Sequence, residues 1–141
     1  MELEPDEAYA LWTDVSRWPT FIDGFGRVDR QDESWPSEGS KLVWRGVPGG
    51  RGVVTERVAR AQPPALHEVT VFEEKLDGTQ SVTFSLEDEG TRVDLVLEYT
   101  VSVGGPLRPL VDRLFIRRAQ NDSLARTLRR FTTEAAEQAA L

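Results

Sequence analysis

Residues 92–103 read Arg92-Val93-Asp94-Leu95-Val96-Leu97-Glu98-Tyr99-Thr100-Val101-Ser102-Val103. Val93, Leu95, Leu97, Tyr99, Val101 and Val103 fall on one side of an extended chain. Arg92, Asp94, Glu98, Thr100 and Ser102 fall on the other, with Val96 the exception. That alternation marks a strand with one buried and one wet face, the pattern of an antiparallel sheet. Gly104-Gly105-Pro106 stops the strand, and the apolar spacing then becomes helical. Leu107, Leu110, Val111, Leu114 and Phe115 form a stripe that Leu124, Leu128, Phe131 and Ala135 continue. A last strand thus passes into a long amphipathic helix that needs an apolar face to cover. As one rod from Leu107 to Gln138 it would be roughly 48 Å long. A compact chain of this size is about 37 Å across. A break is therefore expected near Asn121-Asp122-Ser123, a cluster that also reads as a helix N-cap.

Upstream, the alternation repeats. Gln80 to Leu86 places Val82, Phe84 and Leu86 on one face. Asp77-Gly78 is a hairpin signal, and Asp88-Glu89-Gly90 turns the chain again. Leu66 to Glu74, Gly52 to Ala61, Lys41 to Arg45 and Arg27 to Asp32 read as further strands. Pro63-Pro64, Gly46-Val47-Pro48-Gly49-Gly50 and Trp35-Pro36-Ser37-Glu38-Gly39 separate them. Either face of 66–74 fits its pattern; Val69 and Val71 are read as the inward pair. Pro5-Asp6-Glu7 opens a helix, with Ala8, Leu11, Trp12 and Val15 at helical spacing. Arg17-Trp18-Pro19 breaks it, and a short second turn of helix fits Thr20 to Asp23. The order is a helix pair, five or six antiparallel strands and a long helix. That is an α+β chain, read as one domain over residues 1–141.

Composition removes much chemistry. The 141 residues contain no Cys and one His, His67. Disulfides, thiolate nucleophiles and thiolate metal sites are excluded. A multi-histidine metal site is excluded too, and no D-x-D-x-D-G spacing exists, so no metal and no cofactor is expected. The net charge is −7, which argues against nucleic acid as a partner. From Gly104 onward the chain carries +3, and the rest therefore −10. Salt bridges between this basic segment and the acidic body are the expectation. No apolar run is long enough for a membrane span, and no signal peptide opens the chain, so the cytoplasm is the expected home.

Asp14-Val15-Ser16-Arg17-Trp18-Pro19 with Phe21, inside the stretch from Glu7 to Phe21, resembles the opening helix pair of the polyketide cyclase/dehydrase family. That family belongs to the START-like, Bet v 1-like (SRPBCC) superfamily. Gly39 before a strand, the Pro63-Pro64 turn, Gly90-Thr91-Arg92-Val93 opening the last strand and Gly105-Pro106-Leu107 opening the final helix carry the resemblance across the whole chain. It implies a helix-grip fold, in which a curved antiparallel sheet of six to seven strands wraps a long C-terminal helix. A cavity between the two takes hydrophobic small molecules. Only Glu2, Leu3 and Glu4 precede Pro5, so the family's first strand is expected to be short or missing. The last strand would then expose an edge, to which a second copy of the chain could add as a homodimer.

Binding of a hydrophobic or aromatic small molecule is the leading expectation. Trp44, Val54, Glu56, Val69, Val71, Phe84, Leu97, Tyr99, Leu114, Leu124 and Phe131 are the expected lining, with Arg118 and Asn121 as polar anchors. An aromatase/cyclase or dehydratase acting on a polyketide-like chain is the alternative, as is a partner-binding protein whose cavity is filled by its own side chains. Glu56 points inward if it shares the face of Val54 and Val58, and then needs a raised pKa or an Arg partner, for which Arg118 is the candidate. His67 reads as a rim or surface histidine. The Gly46–Gly52 segment fits no phosphate-loop spacing and reads as a hairpin loop at a cavity mouth. Trp12 and Trp18 are expected to pack the helix pair onto the sheet.

Overall fold

Pro5 fits the first turn of a helix because its missing N–H would have no intrahelical partner there. The computed structural model begins α1 at this residue and carries it over Pro5–Thr13. The structure describes residues 3–73, 76–87, 90–101 and 108–140, with the backbone alone at 76, 99–101 and 108–123. Asp14 ends α1 and caps a 3₁₀ turn over Val15–Arg17, its carboxylate accepting from the Ser16 N–H at 3.1 Å. Helix α2 covers Trp18–Phe21. It begins earlier than the expected Thr20, because Pro19 sits within a first turn, where it is tolerated.

Six strands follow: β1 Phe25–Gln31, β2 Lys41–Gly46, β3 Val53–Gln62, β4 Leu66–Glu73, β5 Leu76–Glu87 and β6 Gly90–Val101. They form one antiparallel sheet in the order β1-β2-β3-β4-β5-β6. Among the described residues no strand precedes α1, and β6 is an edge. Leu3 is buried there, its carbonyl accepting from Thr91 Oγ1 at 2.7 Å. Gly26 lies at a register shift between β1 and β2. A Cβ at this position would sit 2.7 Å from the Arg45 carbonyl, so only glycine lets the strands close.

Two expectations along β5, one of a turn and one of a buried face, differ from the structure. Asp77 and Gly78 are not a hairpin turn. They lie inside β5, opposite Phe72 and Val71, and Glu73 pairs with Leu76. A two-residue turn signal is local, whereas register follows which side chains a whole strand must bury. Leu86 leaves the inward set of Val82 and Phe84 and is 70 % exposed near the end of β5.

Helix α3 runs over Arg108–Ala139 without the break expected at Asn121-Asp122-Ser123. Asn, Asp and Ser inside a helix each cost under about 1 kcal/mol relative to Ala, too little to interrupt a stripe that continues beyond them. Ion pairs tie its second half to the helix pair. Asp23 accepts from Arg126 at 3.0 Å and Arg130 at 3.2 Å, and Arg17 pairs with Glu134. The basic segment therefore meets the acidic body at the α1–α2 side.

The core is aromatic at this junction. Trp12 and Phe21 stack and both meet Phe131 of α3, while Trp18 packs edge-on against Phe25, Trp35 and Trp44. The indole N–H groups of Trp18 and Trp35 are paired. Trp18 donates to the Trp12 carbonyl at 2.8 Å and Trp35 to the Thr13 carbonyl at 3.0 Å. Trp18 thus packs the helix pair onto the sheet as expected, whereas the ring contacts of Trp12 are to α2 and α3.

Candidate functional site

Alternation along each strand decides which residues face inward. Leu42 and Trp44 on β2, Val54, Glu56 and Val58 on β3, Val69 and Val71 on β4, and Val82 and Phe84 on β5 are all buried. His67 joins this set. It is 3 % exposed and lies between Tyr9 and Trp35, with ring centroids 5.9 and 5.5 Å away. The expectation of a rim histidine is corrected, because the inward phase of Val69 and Val71 carries back to residue 67.

Glu56 is the carboxylate on this face, 6 % exposed. Trp44 Nε1 donates to Glu56 Oε2 at 2.6 Å. Burial pushes the Glu56 carboxyl above its ordinary range; the indole N–H and the Arg51 charge pull the other way. Arg51 reaches back from the glycine loop between β2 and β3. Its guanidinium carbon lies 5.1 Å from the Trp44 ring centroid, and the group pairs with Glu73. Burial lowers the Arg51 pKa, with Glu56 and then Asp23 opposing. Arg51 Nε is buried without a hydrogen-bond partner.

A second polar place lies farther along β4. Tyr9 OH and His67 Nε2 are both buried and unpartnered. Each such atom costs about 1–3 kcal/mol if nothing satisfies it. Burial pushes the Tyr9 phenol up and His67 down to about 4, so the imidazole is neutral near pH 7. Between the two polar places the face is apolar on β3 and β4, with Val58 opposite Val69. Gln80 of β5, opposite Val69, is half-buried.

The expected lining residues fall into three groups. Trp44, Val54, Glu56, Val69, Val71 and Phe84 share the inward face of the sheet. Leu97 on β6 and Leu124 on α3 are half-buried, and Phe131 is fully buried against Trp12 and Phe21. The side chains of Tyr99, Leu114, Arg118 and Asn121 lie outside the described residues. Among the described residues, Arg51 is the arginine whose charge acts on Glu56. Sequence reasoning missed it because a loop residue carries no periodicity to say which way it turns. Tyr9 was missed because α1 buries a broad arc of Ala8, Tyr9, Leu11 and Trp12, wider than one stripe.

Outside the sheet, an open concavity of about 500 Å³ lies against the glycine loop, lined by Gly26, Arg27, Arg45 and residues 46–50 and 52. Both arginines pair with Asp29. Among the described residues no group of acidic or histidine side chains could hold a metal ion, and no helix is long and apolar enough to cross a membrane.

Residues 1–136 match the family model described as polyketide cyclase/dehydrase and lipid transport. No curated protein matches the chain significantly. Among solved structures, the chain is similar to a di-domain ARO/CYC, StfQ, of the steffimycin biosynthetic pathway. The TM-score is 0.73 at 19 % identity, covering 99 % of this chain and 49 % of that one. A Rhodobacter sphaeroides protein gives a TM-score of 0.69 at 18 % identity, covering 97 % of this chain and 88 % of its own. CalU16 from Micromonospora echinospora gives 0.56 at 21 % identity, covering 99 % and 81 %. At these identities the likeness is one of fold, the helix-grip arrangement of sheet and C-terminal helix.

Proposed function

This chain belongs to the polyketide cyclase/dehydrase and lipid transport family, and from that premise we propose that it binds a hydrophobic or aromatic small molecule between the sheet and α3. Glu56, Trp44 and Arg51 form the polar end of that site. One observation carries the reading: a carboxylate buried among the apolar residues of the inward sheet face, with the Trp44 N–H as its hydrogen-bond donor. A carboxyl group has room for further partners, and burying one is costly without them. A ligand hydroxyl or carbonyl meeting Glu56 and the spare Arg51 Nε–H would supply them.

Native mass spectrometry of the protein purified from its own host tests this. The expected result is a co-purified organic ligand that is reduced in an Arg51→Met variant. A protein that arrives empty, and whose tryptophan fluorescence does not saturate with any apolar probe, would rule the binding role out.

A second reading is catalytic, an aromatase/cyclase or dehydratase on a polyketide-like substrate. The burial of Glu56 favours it, because burial shifts the carboxyl toward its protonated form, and a protonated carboxyl can donate to a departing hydroxyl. Water loss from a β-hydroxyketone, followed by mass spectrometry, is the assay. Conversion unchanged in Glu56→Gln would count against this role.

A further inference from the structure

The inward face has two polar ends, and the proposed binding role leaves one of them unused. Glu56 pairs with Val71 across β3 and β4, and His67 lies four residues farther along β4. At the strand rise per residue this separates the two backbone positions by roughly 13 Å. Val71 and Val69, with Val58 beside them, make the stretch between apolar on β3 and β4, with Gln80 of β5 half-buried at its side. At the near end Arg51 Nε is buried and unpartnered; at the far end Tyr9 OH and His67 Nε2 are. Tyr9 is 6 % exposed and His67 3 %. Their rings meet edge-on, yet neither polar atom bonds the other.

We propose that the site takes an elongated molecule with an apolar middle and a hydrogen-bonding group at each end, one held by Arg51 and Glu56 and the other, a hydroxyl, held by Tyr9 and His67. This rests on the binding role proposed above and names the class of molecule bound. The choice of hydroxyl follows from the far end's own chemistry. A neutral imidazole presents Nε2 as donor in one tautomer and acceptor in the other, and a phenol does both. A hydroxyl both donates and accepts, so it satisfies the pair in either tautomer. A carbonyl only accepts and an ammonium only donates. A trapped water is the competing occupant.

Two simple probes separate these cases: 1-decanol and 1,10-decanediol, titrated by intrinsic tryptophan fluorescence. The expected result is that the diol binds at least ten-fold more tightly. A wholly apolar far end would rank them the other way, because a buried hydroxyl without a partner loses affinity. His67 is the single histidine, so its ring nitrogens give one unambiguous set of NMR signals. These should shift with the diol and not with decanol. Tyr9→Phe, which removes one oxygen, should abolish the preference while decanol still binds; His67→Leu should do the same.

Decanol binding as tightly as the diol would overturn the two-ended site and leave the binding role standing. So would a diol preference with no movement of the His67 signals. Failure of both probes to bind would overturn the two-ended site and the binding role together.

Discussion

Trp44 Nε1 donates to Glu56 Oε2 at 2.6 Å, joining adjacent strands β2 and β3 through a bond buried on the inward face of the sheet. Trp44 pairs in register with Val54 and Leu42 with Glu56. The bond is therefore diagonal, which a long side chain on each strand can span. It turns a buried acid from an unpaired group into a held one, and leaves the rest of the carboxyl available to a ligand.

Trp44→Phe keeps an aromatic ring, smaller than the indole, and deletes the donor. The Glu56 pKa should rise further, since the indole N–H is what favours its charged form most. The fold should lose about 1–3 kcal/mol, the cost of leaving a buried polar group unsatisfied. Urea denaturation of both proteins measures the loss. Equal midpoints would show that the bond contributes nothing.

Glu56→Gln should change how stability depends on pH. The folded carboxyl sits above its ordinary value of 4.5, so the native state holds a proton that the unfolded chain releases first. That favours the fold at low pH, and the advantage is lost as pH rises from 4.5 through the folded pKa. The native protein should thus lose stability relative to Glu56→Gln over that rise. Parallel stability curves for the two proteins would contradict it.

His67 acts with the opposite sign. Its folded pKa falls from 6.5 to about 4, so between these values the unfolded chain binds the extra proton. The contribution is fully present above pH 6.5 and is lost as pH falls through the folded value. Its full size is about 3 kcal/mol by the free energy of a pKa unit. The two effects overlap above 4.5, so each is read from its own variant. An NMR titration of the single imidazole checks the cause directly, and a midpoint near 6.5 would refute it.

Gly26→Ala places a methyl against the Arg45 and Gly46 carbonyls. Backbone rather than a flexible side chain stands in the way. The substitution should cost about 1–3 kcal/mol, as overpacking does. It should also loosen the β1–β2 pairing, seen as faster amide exchange at Val28 and Trp44. Unchanged exchange would mean that the bulge adapts.

Much of the fold was legible because its signals are local and repeated. The two-residue period from Arg92 and the helical stripe resumed at Leu124 define elements whose faces must be buried, and an antiparallel sheet covered by one helix answers both. The inward placement of Glu56 was legible only as a conditional, on its sharing the face of Val54 and Val58, and its burial is a finding of the structure. Register was not legible at Asp77-Gly78, where the pairing of whole strands overrode a good turn signal. Nor was the continuity of α3 through Asn121-Asp122-Ser123, where an N-cap preference lost to the continuing stripe.

The sequence by itself determined the kinds of chemistry open to this protein. With no cysteine, one histidine and four tryptophans, a site must be built from shape, aromatic planes, arginine and carboxylates. Only the tertiary structure decided which residues meet. Arg51 reaches Trp44 and Glu73 because a hairpin folds its loop back over β2 and β3. Tyr9 and His67 become neighbours across 58 positions because α1 packs on the sheet. Periodicity tells each element which face to bury, but a contact between elements depends on their relative placement, which is set by the packing of every face at once.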